Sequence, residues 1–227
     1  MLTRAGLISA AALIPAFAGV DSALAEGRPD GKHPSPDKVL NLLKRGNKRW
    51  AAGKARRKSY VPNEPLLNGQ WPIAAVLGCA DSRVQPDELF DVRPANLFVV
   101  RNAGNVVDED VLGSLEYAIE HLGVNLIVTL GHQNCGAVKA ADAVVTGGSM
   151  PGGHIDDIVN HIKPALLPLA VGHTIDEAVQ ANAEQSAEQL LSQSTILSEA
   201  FEAGHLKIVS GQYSFATKKV TYNPVVA

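Results

Sequence analysis

The chain has 227 residues, of which 46% are hydrophobic and 19% are charged, and its formal net charge is -3. This composition is typical of a globular protein and excludes a mostly disordered chain. A slightly acidic chain does not fit a protein that grips nucleic acid through a broad basic face, so we expect no nucleic-acid partner. The only two cysteines, Cys79 and Cys135, cannot build a disulfide-dense scaffold.

The N-terminal segment has the features of an export signal. After Arg4, residues 5–20 carry no charge, and residues 23–25 (Ala-Leu-Ala) supply the small-x-small pattern that precedes signal peptidase cleavage. A membrane anchor is the alternative, but the apolar run is shorter than the roughly 20 residues of a spanning helix and contains Pro15. We expect residues 1–25 to be removed, leaving a periplasmic or secreted chain with no stable membrane anchor.

Residues 26–70 are predicted to form a linker followed by a helical arm. Gly, Pro and charged residues dominate from Glu26 to Pro36 and indicate a flexible lead-in. Apolar residues then recur on one face from Asp37 to Trp50, as in an amphipathic helix. The basic run at 54–58 has no interleaved aromatic residues, so we interpret it as a solvated stretch rather than an anion site.

Strand and helix patterns alternate through residues 71–227. Short apolar runs at 73–77, 97–100 and 126–130 predict buried strands, and a helical period over 111–122 separates the second from the third. Repeated alternation of strand and helix predicts a parallel sheet with right-handed crossovers. 

The C-terminal half continues with helices and closes with strands. Thr174 and Glu177 form a capping-box pattern at the start of a long helix. Helices are predicted over 137–145, 154–169 and 174–203, and a final strand pair over 206–210 and 219–222. The expected architecture is α/β, a single domain with a mainly parallel central β-sheet flanked by helices, plus the N-terminal helical arm.

Both cysteines follow predicted strands. Cys79 lies two residues past the first strand, while His132 and Cys135 lie just past the third. Sites in open parallel sheets form at the carboxyl ends of strands, and Cys, His and Cys are ligands that zinc takes with a fourth position left open. Spacing alone leaves three possibilities: a zinc site, a disulfide favoured by export, or two inert buried thiols.

Asp81 and Arg83 stand beside the first cysteine and are close enough in sequence to pair. An arginine fork holds a carboxylate through two charge-assisted hydrogen bonds. A carboxylate so placed could accept a hydrogen bond from an oxygen on the metal, or it could occupy the fourth zinc position itself. A loop-stabilising ion pair without a catalytic role is the remaining possibility.

Two segments, 79–84 (Cys-Ala-Asp-Ser-Arg-Val) and 131–136 (Gly-His-Gln-Asn-Cys-Gly), resemble the paired signatures of the β-class carbonic anhydrases. The resemblance extends to residues 97–105, to the helix over 113–122 and to residues 46–50. It therefore covers most of the chain that would remain after export.

The resemblance implies one Zn²⁺ ion per chain, bound by Cys79, His132 and Cys135. It also implies two roles for Asp81, which would be a fourth ligand in a closed state and would pair with Arg83 in the active state. Because this family hydrates carbon dioxide, the chain is expected to be a carbonic anhydrase, a lyase.

The resemblance further implies a substrate pocket built across the interface of a homodimer, with a tetramer as a further possibility. Gln70, nine residues before Cys79, matches the glutamine with which plant-type members contact substrate. Phe98, Ala103 and Tyr117 fall at pocket-lining positions, although Ala103 is smaller than the valine often found there. On their own, Phe98 and Tyr117 would be taken as core residues.

One position departs from the family members that carry an inhibitory bicarbonate site. Those members have a tryptophan three residues before the first zinc cysteine, where this chain has Val76, although Arg101 matches the arginine of that site. We therefore expect no bicarbonate-driven closure of that kind.

Residues 71–227 are thus expected to form a zinc-binding catalytic domain that converts carbon dioxide reversibly to bicarbonate and a proton. The nucleophile would be zinc-bound hydroxide, because zinc lowers the pKa of its bound water to roughly 7. Two alternatives remain: a hydrolase of a linear analogue such as carbonyl sulfide or carbon disulfide, and a non-catalytic zinc or disulfide protein of the same fold.

Overall fold

The structure is a computed structural model that describes residues 34–56 and 64–224. The expected signal peptide, residues 1–25, lies outside the described residues, and so does the start of the linker. Within the described ranges, no helix is both long and apolar enough to cross a membrane.

Five strands form one sheet. They are β1 (Ala74–Cys79), β2 (Leu97–Asn102), β3 (Leu126–His132), β4 (Lys207–Tyr213) and β5 (Val220–Pro224). Their order across the sheet is β2-β1-β3-β4-β5, with every pair parallel except the antiparallel β4 and β5. The expected mainly parallel sheet, with its final strand pair, is confirmed.

Helices cover both faces of this sheet. They are α1 (Pro36–Ala51), α2 (Glu64–Asn68), α3 (Pro86–Leu89), α4 (Glu109–Glu120), α5 (Gly136–Val145), α6 (Ile155–Leu166), α7 (Ile175–Gln193) and α8 (Thr195–Glu202). A 3-10 turn spans Ala103–Asn105. The pattern did not predict α2, α3 or this turn, because each is too short to show a helical period.

The expected single helix over 174–203 is wrong, because the structure breaks it at Ser194. This residue is extended, with φ -123° and ψ 115°, and it caps α8 by accepting from the Leu197 amide. Its hydroxyl also donates to the Glu116 carboxylate at 2.6 Å. A serine hydroxyl that bonds to nearby groups gives the backbone an alternative to the helical hydrogen bonds. Ser194 therefore ends α7, although the apolar period continues past it. The capping box of Thr174 and Glu177 is confirmed.

Alternate residues of the central strands pack into two separate apolar layers. Val76 faces Leu43 of α1 on one side of the sheet, whereas Leu77 and Ile127 pack with Leu190 of α7 on the other. All of these side chains are buried, as expected for a parallel sheet covered on both faces.

The strand register brings the ends of β1 and β3 together. Gly78 pairs with Leu130, so Cys79 and His132, the last residues of their strands, reach the same edge. Both strands therefore run further than the apolar runs predicted. A Cβ on Gly131 would lie 2.8 Å from Val179 of α7, so glycine lets this helix approach the strand end closely.

Candidate metal centre and active site

Three buried side chains converge at the shared edge of β1 and β3. Cys79 ends β1, His132 ends β3, and Cys135 is the residue from which α5 begins. Their relative exposures are 6%, 0% and 1%. One ligand atom from each lies within 4.8 Å of the other two, which is the grouping expected of a metal centre.

The donor set fits a tetrahedral zinc ion. The Sγ atoms of Cys79 and Cys135 are 3.9 Å apart, close to the separation of about 3.8 Å between two thiolates on one tetrahedral zinc. They are not bonded to each other in this structure. The Nε2 atom of His132 is buried and has no hydrogen-bond partner within the described residues, as a metal-ligating nitrogen would.

The histidine ring is oriented by its other nitrogen. His132 Nδ1 lies 3.0 Å from the carbonyl oxygen of Gln133, so the proton belongs on Nδ1 and the Nε2 lone pair is available to a metal. Burial opposes protonation of this ring, but the Cys79 thiolate, the Gln133 carbonyl and Asp81 together raise its pKa above the ordinary value.

The two thiols share one proton. The hydrogen bond between the two sulfur atoms, aided by His132 and by the Gly104 amide, lowers the pKa of the Cys79 thiol. The pKa of Cys135 is raised by the same contact with Cys79 and by burial. Because thiolates are the metal-binding form of cysteine, the site is primed to release a proton when it takes up an ion.

A buried backbone amide forms a hydrogen bond to the Cys79 sulfur. The Gly104 N–H donates to Cys79 Sγ at 3.4 Å, and the Gly104 carbonyl accepts from the Asn182 side chain of α7 at 2.8 Å. Gly104 has a left-handed φ of 82°, and an added Cβ would come within 2.8 Å of Ile162. Glycine is therefore required for the backbone to approach the sulfur here.

Asp81 and Arg83 form the fork that the sequence predicted. Arg83 donates from Nη2 to Asp81 Oδ2 at 2.7 Å and from Nε to Oδ1 at 3.0 Å. These bonds hold the pKa of the Asp81 carboxyl well below its usual range. Asp81 Oδ2 lies 3.8 Å from His132 Nε2, so the carboxylate borders the centre while it is engaged by the arginine.

Arg101 fixes the backbone of the loop after β1. Its Nε donates to the Cys79 carbonyl at 2.9 Å, its Nη2 to the Asp81 carbonyl at 2.6 Å, and its Nη1 to the Gln85 side chain at 3.3 Å. All three nitrogens of the guanidinium are therefore engaged by this loop.

Phe215 contacts both halves of the site, and the sequence did not identify it. The Arg83 guanidinium lies 4.3 Å from the centre of its ring, and the His132 ring meets it edge-on at 5.6 Å. The turn that carries Phe215 is tied to the second motif, because Gln133 Oε1 accepts from the Ala216 amide at 3.3 Å. The sequence feature that could have identified Phe215 is an aromatic residue in the tight turn between two predicted strands.

Of the remaining predicted site residues, Ala103 lies beside this centre, because it precedes Gly104, whose amide donates to Cys79 Sγ. Gln70 is exposed between α2 and β1, Phe98 is half-buried in β2, and Ala103 begins the 3-10 turn. Tyr117 on α4 is 48% exposed and stacks on His121. Among the described residues, no hydrogen bond, ion pair or ring contact joins Gln70, Phe98 or Tyr117 to the three ligands.

Comparison with known proteins gives concordant matches. A family model described as carbonic anhydrase matches residues 74–220. "Carbonic anhydrase 2" of Mycobacterium tuberculosis is 40% identical over 186 residues, which are 79% of this chain and 88% of that protein. The structure of a Coccomyxa β-carbonic anhydrase in complex with acetazolamide has a TM-score of 0.62 at 26% identity, covering 82% of this chain and 81% of that one. A tetrameric β-carbonic anhydrase of Sordaria macrospora shares the fold, with a TM-score of 0.62 at 24% identity over 82% of this chain and 96% of that one.

Proposed function

The chain belongs to the β-class carbonic anhydrases, and we propose that it hydrates carbon dioxide reversibly to bicarbonate and a proton. The reaction would use one zinc ion per chain. The observation that carries the proposal is the convergence of Cys79, His132 and Cys135 beside an ionised carboxylate. Relatives and solved structures bearing the family's name support the reaction.

Cys79, His132 and Cys135 would bind the ion through two sulfur atoms and one nitrogen atom. Cys79 and Cys135 would bind as thiolates, so their two charges would offset that of the metal, and His132 would bind through Nε2 because its Nδ1 is engaged by a backbone carbonyl. Zinc held there would supply a strong nucleophile at neutral pH, because it lowers the pKa of bound water to roughly 7.

Asp81 acts as a hydrogen-bond acceptor on the open side of the centre. Because Arg83 keeps the carboxylate ionised, Oδ2 can only accept, and it would accept a hydrogen bond from the attacking oxygen so that a lone pair of that oxygen faces carbon dioxide. Arg83 in turn holds Asp81 away from the ligand set, and Phe215 supports the arginine.

We assign the substrate pocket to the interface of a homodimer. Among the described strands β2 pairs with β1 alone, so its outer edge is open to a second copy of the chain. Gln70, Phe98, Ala103 and Tyr117 would line the pocket across that interface. A tetramer formed from two such dimers is a further possible assembly. Sedimentation equilibrium tests this, and a monomer that retains full activity would contradict it.

Bicarbonate is not expected to close this site. Val76 is fully buried in the core and provides no aromatic surface, and the three nitrogens of Arg101 are engaged by the loop after β1. The pH profile of the hydration rate should therefore be unaffected by added bicarbonate. A sigmoidal profile that steepens as bicarbonate is added would show this assignment to be wrong.

The proposed site of action is the periplasm or the extracellular space. The apolar run and the cleavage pattern of residues 1–25 support export. N-terminal sequencing of the protein from a culture should begin at Glu26, and exported protein that begins at Met1 would contradict cleavage.

The experiment that tests the reaction compares substrates on one preparation. Zinc is quantified in the purified protein, and turnover of carbon dioxide is measured by stopped flow beside turnover of carbonyl sulfide. We expect one zinc per chain and faster turnover of carbon dioxide. Faster turnover of carbonyl sulfide would make the chain a hydrolase of that analogue, and zinc without turnover of either substrate would leave a structural metal site.

A further inference from the structure

A cavity lies between α1 and the loop that leads from α3 into β2. It shares no lining residue with the metal centre. Its volume is about 880 Å³. Five cationic side chains and a single carboxylate contribute to its lining: Lys38, Arg45, Arg49, Arg56, Arg93 and Asp91. This concentration of positive charge contrasts with a chain whose net charge is -3.

One wall is a stripe along α1. Lys38, Leu42, Arg45 and Arg49 follow one another at spacings of four, three and four residues, so they share one face of the helix. Leu43, on the opposite face, is fully buried in the core and anchors the helix. The basic stripe is therefore presented from a rigid element.

The lone carboxylate does not neutralise the cavity. Asp91 is 4% exposed, and it accepts from Arg49 Nε through Oδ2 and from the Arg56 backbone amide through Oδ1, the latter at 2.8 Å. Its charge is thus already engaged by Arg49. In residues 34–56 and 64–224, no acidic side chain forms an ion pair with the other four cations: Lys38, Arg45, Arg56 and Arg93.

The opposite wall holds Arg93 in a closed turn. The Arg93 amide donates to Asn96 Oδ1 at 3.2 Å, and the Asn96 amide donates back to the Arg93 carbonyl at 3.0 Å. The Asn96 carbonyl accepts from Ile73, just before β1, at 2.8 Å. Arg93 therefore projects from a fixed backbone toward the cavity that the α1 stripe lines.

We propose that this cavity binds a small oxyanion with several negative charges, of the phosphate or polyphosphate class. Four cations gathered around one concavity repel each other, and a multivalent anion relieves that repulsion while arginine forks bind its oxygens in pairs. Arg56, which lies in the basic run that the sequence pattern assigned to solvent, would thus bind the anion. The site is separate from the metal centre, so binding is independent of zinc and of hydration activity.

The test is isothermal titration of the purified protein with tripolyphosphate at low salt. Wild type should bind one anion per chain, more weakly as NaCl is raised. Reversing two charges in Arg45→Glu/Arg93→Glu takes the lining from a net charge of four to zero and should weaken binding at least tenfold. Lys48→Glu reverses a single charge on α1 outside the lining and should weaken binding less than twofold.

Vesicles distinguish the two sources of phosphate. Binding of tripolyphosphate without sedimentation on phosphatidylglycerol vesicles indicates a soluble anion, whereas sedimentation that tripolyphosphate reverses indicates a lipid headgroup. All variants should keep the zinc content and hydration rate of wild type, and R45Q and R93Q replace the double variant if it does not fold. Absence of titration heat and of vesicle binding, or equal weakening by Lys48→Glu, would overturn the proposal.

Discussion

The loops after β3 and β1 both end at the metal centre, yet they differ in exposure. His132 and Cys135 on the first are 0% and 1% exposed, whereas the side chains of Asp81 and Arg83 on the second are 18% and 59% exposed. The buried loop offers ligands and excludes water, while the open loop offers charges that solvent and substrate can reach. At this edge of the sheet the candidate ligands, Cys79 at the end of β1 included, are buried, whereas the pair of Asp81 and Arg83 is partly exposed.

The two loops also differ in what fixes them. The loop after β3 is part of the core, since the Gln133 amide donates to the Tyr213 carbonyl of β4 at 2.8 Å and Cys135 begins α5. The loop after β1 is fixed mainly by the Arg101 side chain. Changes in the buried loop should therefore cost the metal, and changes in the open loop should cost turnover alone.

The largest effect is expected from Cys135→Ala. Two ligands remain and cannot complete a zinc site, so the variant should purify with little zinc and show a hydration rate at the buffer background. Metal analysis and stopped flow on the same sample check this, with circular dichroism as the control for folding. A variant that keeps one zinc per chain would break the distinction between the loops.

Asp81→Ala should lower the hydration rate about a hundredfold while zinc is retained, because the acceptor for the proton of the attacking oxygen is lost. The matched control is Ser82→Ala, a change at an exposed neighbour that should leave the rate unchanged. Full activity in Asp81→Ala would remove this residue from the mechanism, and loss of zinc would place it among the ligands.

Phe215→Leu tests the residue that touches both loops. Leucine keeps the apolar volume and loses the ring face under Arg83, so we expect a decrease of about threefold in kcat/KM with unchanged zinc content. Phe215→Tyr keeps the ring and should retain activity. Equal losses in the two variants would show that the contact between the ring face and Arg83 does not support activity.

The smallest effect concerns an ion pair that braces α5, the helix that follows Cys135. His173 Nε2 lies 2.8 Å from Asp142 Oδ1, and the Ala170 carbonyl and Asp142 raise the pKa of His173 above its ordinary value. A raised pKa contributes stability that is complete below the ordinary histidine pKa and is lost as pH rises through the raised value.

His173→Gln should therefore lower the melting temperature by about 1–2 °C near pH 5.5, and by less near pH 9. Thermal unfolding followed by circular dichroism at the two pH values measures this difference. If the decrease in melting temperature is the same at both pH values, or larger at the higher one, the charged histidine does not stabilise α5.

The sequence predicted the parts of the molecule that depend on local pattern. The sheet, most helices and the five charged or ligating residues of the two motifs follow from periodicity, strand ends and short spacings. The support of the site was not predictable, because Phe215 reaches Arg83 and Asn182 reaches Gly104 only after the chain has folded. The break at Ser194 was missed because the apolar period continues through it.

Hydration of carbon dioxide at the metal centre is the activity that we propose for this chain. The most direct test is the stopped-flow hydration rate of metal-free protein titrated with Zn²⁺. We predict a rate above buffer that rises in proportion to added zinc and stops rising at one equivalent per chain. Protein that carries one zinc per chain and shows no rate above buffer would contradict it.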